Sequence, residues 1–203
     1  MIDATTIEEI KIKISERRSG GKIALVLFCR YRKDASSLAW RVAANNINYH
    51  YRSGEELDIY VPGFSFYGRS RAPELGLAIK IDNSQPLGYY YPKVLVDAEN
   101  FFRTEMLGFQ LGSSVVAVAI EVQDGAPDWK NGAVMNLSNR SAEDAERQIM
   151  SIIDGCKNIP GIIDPSTAMF RRNFRLSSLV GYLTRNGWSV ASAFSGAGAL
   201  ILN

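Results

Sequence analysis

The chain is poor in the residues on which much enzyme chemistry depends. It holds one histidine, His50, and two cysteines, Cys29 and Cys156, among 203 residues. A single histidine excludes a His-rich metal site, and Ser–His–Asp catalysis would depend entirely on His50. Two distant cysteines make neither a disulfide framework nor a zinc-ligand spacing. Gly-x-Ser-x-Gly, His-Glu-x-x-His and Cys-x-x-Cys elements are all absent. No apolar run reaches membrane-spanning length, and the residues from Met1 to Ile10 lack the charged and apolar regions of a secretory signal. A cytoplasmic, reducing compartment is the expectation that follows. The net charge of +2 is too small to predict nucleic-acid or membrane binding from bulk electrostatics.

What is present begins with a strand–helix–strand pattern between Lys22 and Phe64. Ile23 to Phe28 is continuously apolar, as expected of a strand buried on both faces. Cys29-Arg30-Tyr31-Arg32-Lys33 follows, and Asp34 is placed to cap a helix running to Asn48. Leu57, Ile59 and Val61 alternate with Asp58 and Tyr60, predicting a second strand with one buried and one partly polar face. A right-handed crossover through the helix would make the two strands parallel.

Flanking elements complete a single domain over residues 1–203. Ile7, Ile10 and Ile14 mark one face of a helix over 5–18. Residues 62–96 are irregular and have the character of an insertion. They hold a short strand over 77–81 and a Pro92-interrupted strand over 89–96, with Asp97 capping the helix that follows. Val115 to Val122 is a second strand, continuously apolar to Ile120, and Trp129 to Gly132 reads as a turn before a strand over 133–137, which would make the two an antiparallel hairpin. Ser141 caps a helix with Ala145, Ile149, Ile152, Ile153 and Cys156 on its buried face. A helix over 167–186 and a hairpin from Trp188 to Leu202 end the chain. The fold class is α/β: a mixed, mainly parallel-core sheet covered by helices, ending in a helix plus β-hairpin. Leu25, Leu27, Leu38, Val42, Val116, Val118, Ile149, Ile153, Val180 and Leu183 are its expected core.

In open α/β sheets ligands bind beyond the carboxyl ends of the strands, which places Arg30 and Arg32 beside a helix start at Asp34, Ser36 and Ser37. Arg69 and Arg71, beyond the second strand, would reach the same crevice. With 15 Arg against 8 Lys, the cations favour the residue suited to bidentate anion recognition. The leading expectation is a binding or sensing module for an anionic ligand, a nucleotide among the choices. The enzyme alternative is a magnesium-dependent phosphodiesterase or nuclease using Asp82, Glu121 and Asp124, the only reading that calls for a cofactor. Glu121-Val-Gln123 resembles the Glu-x-Lys element of restriction-endonuclease-like nucleases, with Gln123 in place of Lys.

A third reading is a protein-interaction module presenting Tyr49, His50, Tyr51, Phe64 and Phe66, with a homodimer as the default assembly to test. The same five side chains, if buried, are simply core. Arg171, Arg172 and Arg175 open the last predicted helix as a further cationic cluster, and Tyr89, Tyr90 and Tyr91 would suit base stacking if exposed.

Overall fold

A computed structural model of the chain describes residues 5–16, 22–31, 38–53, 57–65, 75–81, 88–106, 115–123, 125–157 and 189–191. Its larger sheet is built on β1 (Lys22–Cys29), which lies between β2 (Leu57–Tyr60) and β6 (Val115–Gln123). β7 (Ala126–Asn136) and β8 (Ser189–Ala191) extend it to the order β2-β1-β6-β7-β8. β1 and β2 are parallel, as the crossover predicts, but every other pair is antiparallel. The sheet is therefore mixed and mostly antiparallel, not mainly parallel. Unbroken apolar runs report burial on both faces, and they carry no information on strand direction.

Register assigns the two faces. Ala24, Val26 and Phe28 stand opposite Ile120, Val118 and Val116 and share a face with them. Phe28 meets Phe102 of α4 (Pro92–Glu105) edge to face at 5.0 Å, and Trp129 of β7 packs on both Phe101 and Phe102. Helix α1 (Ile7–Glu16) lies against β7, burying Ile7, Ile10 and Ile14 as their spacing predicts. The opposite face carries Leu25, Leu27, Leu57 and Ile59. Covering it are α2 (Leu38–Ala44), α3 (Asn46–Ser53) and α5 (Ala142–Lys157), which also pack on one another. Leu25, Leu27, Val42, Val116, Val118, Ile149 and Ile153 are buried as expected, and Leu38 is partly buried against the core. Val180 and Leu183 lie outside the described residues, as do the helix over 167–186 and the strand over 199–202.

Four local expectations are corrected. The helix predicted through Asn48 divides at Asn45, whose side chain accepts a hydrogen bond from the Asn48 amide instead of pointing idly to solvent. Strand β2 is buried on both faces, its partly polar face included, since Asp58 and Tyr60 are buried along with Leu57 and Ile59. Pro92 does not interrupt a strand. It opens α4 at a first-turn position, where its missing N–H is no loss, and Tyr91 before it is extended at φ −117° and ψ 95°. Asp97 is thus inside that helix and not its cap. Finally, Trp129 to Gly132 is strand, not turn. The reversal is at Gly125, at φ +77°, and a bulge between Ile120 and Val122 absorbs the register change. Among the described residues no helix is long and apolar enough to cross a membrane.

A second sheet of three short strands, in the order β3-β5-β4, joins the carboxyl end of β2: β3 (Phe64–Ser65), β4 (Ile79–Lys80) and β5 (Tyr89–Tyr90). The intervening turn is fixed at Gly63, whose N–H donates to Thr5 O at 2.9 Å and whose carbonyl accepts from Tyr91 N at 2.7 Å. Gly63 has φ +77°, and a Cβ there would stand 2.9 Å from Tyr91 O, so only glycine fits without rearrangement. Helix α1 anchors the same corner through a reciprocal cap. Thr6 Oγ1 accepts from Glu9 N at 3.1 Å, while the Glu9 carboxylate accepts from the N–H groups of Thr5 and Thr6.

Candidate functional site at the carboxyl end of β1

The buried run of β1 ends at Cys29, and Arg30 is the first exposed residue after it. Its Nη2 donates to both oxygens of Glu99, at 3.1 and 2.8 Å. The pair is asymmetric: the arginine side chain is 48% exposed and the glutamate side chain 4%. Glu99 is buried because α4 places it in the stripe that covers the sheet, with Leu95, Ala98 and Phe102. A charge this deep needs a partner, and Arg30 supplies it from the solvent side. Nε and Nη1 of Arg30 meet no hydrogen-bond partner among the described residues.

Just past the end of β1, Tyr31 packs against the small sheet. Tyr31 is buried, donates its hydroxyl to Ile81 O at 3.1 Å and lies 5.5 Å from the Tyr90 ring. The small sheet thus closes over the end of β1, and Arg30 remains on the rim. Neither neighbouring ionisable group is poised for chemistry near neutrality. Burial pushes the Cys29 thiol up to about 12. The Tyr90 hydroxyl is likewise raised, first by burial, although a hydrogen bond to the Tyr31 backbone and the nearby Arg30 act the other way. A thiol that stays protonated is neither nucleophile nor metal ligand. Among the described residues at this end of β1, the accessible charged group is the Arg30 guanidinium.

Of the other residues singled out for an anion site, Arg32, Asp34, Ser36, Ser37, Arg69 and Arg71 lie outside the described residues. So do Asp82 and Asp124 of the metal alternative, and Arg171, Arg172 and Arg175. Glu121 is described, and it is remote from Arg30: it pairs with Ile23 at the amino end of β1, while Val115 pairs with Cys29 at the other. The separation along the strand is about 20 Å. A second buried acid, Asp58, stands opposite Ala24. Successive β1 residues face opposite sides, so Asp58 and Glu121 point to different faces of the sheet. Among the described residues no group of three or more His, Cys, Asp and Glu side chains could hold a metal ion.

The aromatic residues divide in the same plain way. Tyr49 and Phe64 are core, Tyr51 is 80% exposed, and Phe66 lies outside the described residues. The backbone of His50 belongs to α3. Tyr90 and Tyr91 are buried and Tyr89 is partly so, which leaves no exposed three-tyrosine platform.

Glu99 is the residue that sequence reasoning missed. Its signal is an acid at a helical spacing reserved for apolar residues, four after Leu95 and three before Phe102. No family model, curated protein or solved structure matches the chain.

Proposed function

We propose that the protein is a cytoplasmic anion-binding or sensing module whose ligand engages Arg30 at the carboxyl end of β1. The observation that carries this reading is the asymmetry of the Arg30–Glu99 pair. A buried carboxylate holds one nitrogen of a half-exposed guanidinium, and the remaining nitrogens have no partner among the described residues. Holding the side chain in place removes part of the rotamer entropy that a ligand would otherwise have to restrict. Arginine is suited to the task because it stays charged and offers several donors in a rigid plane. A free, buried Cys29 fits a reducing compartment.

A thermal-shift panel of carboxylates, inorganic phosphate, phosphate esters and nucleotides tests the proposal. A ligand that binds only the folded chain raises its melting temperature in proportion to RT ln(1 + [L]/Kd). At least one anion is expected to stabilise the protein, with the increment lost in Arg30→Ala and kept in Arg41→Ala. No stabilisation by any anion, or an increment that survives Arg30→Ala, overturns it.

A further inference from the structure

Resting on that reading of Arg30, we infer that Glu99 selects the charge class of the ligand: singly charged oxyanions, as in a carboxylate or a phosphodiester, over phosphomonoesters and nucleoside polyphosphates. The inference starts from what Glu99 cannot do. Its side chain is only 4% exposed, and its neighbours along α4, Leu95, Ala98 and Phe102, are all buried. It cannot swing away to solvent when a ligand arrives without giving up that burial, so its carboxylate stays 2.8 Å from the guanidinium nitrogen it holds.

An anion at Nη1 or Nε therefore meets a cation and, immediately behind it, a fixed anion. The pair is neutral as a unit, so it exerts no net pull of its own on a highly charged ligand from a distance. At contact, the first negative charge gains the charge-assisted hydrogen bonds of the free nitrogens. A second charge on the same group finds no further donor on this guanidinium, yet it adds repulsion from Glu99. Salt screens that repulsion weakly because Glu99 is buried. Cys29 and Tyr90, both kept protonated by burial, add no further negative charge. The arrangement rewards one charge and penalises two.

The test is calorimetric titration of the full chain at pH 8 with acetate, dimethyl phosphate and methyl phosphate, the last of these doubly charged at that pH. The unsubstituted protein is expected to bind one or both singly charged probes more tightly than methyl phosphate. Which of the two it prefers separates a carboxylate ligand from a phosphodiester. Glu99→Gln keeps the size and an oxygen acceptor for Arg30 but removes the charge. It is expected to raise methyl phosphate affinity about three- to tenfold relative to the singly charged probes. An unchanged ratio in Glu99→Gln, or tighter binding of methyl phosphate by the unsubstituted chain, overturns the inference. The comparison of probes in the unsubstituted protein stands even if the variant fails to fold. Failure of the parent reading looks different: no probe binds, or all bind equally after Arg30→Ala.

Discussion

Two arginine–glutamate pairs of nearly equal length sit in different parts of the molecule. Arg30–Glu99 closes at 2.8 Å at the carboxyl end of β1, and Arg41–Glu143 at 3.1 Å across the seam between α2 and α5. In the seam both partners are exposed, at 38% and 65% of their side chains, whereas Glu99 is 4% exposed. The chemistry is the same and the consequences are not. Water can take over either partner of the seam pair, so little stability rests on it. Glu99 has no such substitute, so Arg30 is required by the fold and is also held ready for a ligand. An ion pair speaks for function only where burial of one partner fixes the other.

The largest effect should come from loosening the helix that carries Glu99. Phe102 is fully buried between Phe28, Phe101 and Trp129, so Phe102→Ala should cost about 3–5 kcal/mol in denaturant unfolding. It should also weaken anion binding, because α4 positions the carboxylate that positions Arg30. Unimpaired binding at full stability loss would show that Arg30 needs no support from α4.

Next is the pair itself. Arg30→Ala leaves a buried carboxylate without its cation and should cost about 2 kcal/mol, a figure held down by the half-exposed position of Arg30. A cost no larger than that of Arg41→Ala would erase the distinction between the two regions.

Alkali offers a smaller effect at the same end of β1. Because burial raises the Cys29 thiol from 9.0 to about 12, its folded pKa exceeds its unfolded one. The folded chain then binds more protons above the unfolded value, and its contribution to stability, complete below about pH 9, is lost as pH rises. By pH 10 the loss should be about 1 kcal/mol relative to Cys29→Ala. Cys29 should also resist thiol reagents at pH 8 until the protein unfolds, and prompt labelling in the native state would contradict its burial.

The smallest effect belongs to the seam. The Glu143 carboxyl is held below its usual range, first by its own backbone N–H and then by Arg41. A lowered carboxyl contributes above its unfolded value and loses that contribution as pH falls through the folded one. Both partners being exposed, Arg41→Ala should leave the melting temperature at pH 7 unchanged within error, and a drop rivalling that of Arg30→Ala would break the comparison from the other side.

Much of the framework was legible in the sequence because burial writes itself as apolar runs and helical spacing. Ile23 to Phe28, Val115 to Val122 and the Ile7–Ile10–Ile14 stripe all lie where their patterns placed them. Ser141 caps α5 as expected, its Oγ accepting from Asp144 N at 3.1 Å. The direction of β6 against β1 was not legible, since it depends on which end of the sheet the chain re-enters after α4. The division at Asn45 and the helix start at Pro92 rest on local features that apolar spacing does not register, whereas the passage of Trp129 into β7 depends on a tertiary partner. For Trp129 that partner is the Phe101–Phe102 pair. The site was half legible: Arg30 stood out as the first cation after a buried strand. Glu99 did not, because an acid in an apolar stripe declares its role only once the guanidinium that neutralises it is in view.

The central claim is that Arg30, and not Arg41, is set up to receive an anion. Nitrogen–proton correlation spectra of the arginine Nε–H groups, recorded while acetate is added to the unsubstituted protein at constant ionic strength, test it most directly. The account predicts a saturable shift of the Arg30 signal with the Arg41 signal nearly still. Equal, unsaturated drift of both signals, or an Arg30 signal that does not move, would contradict it.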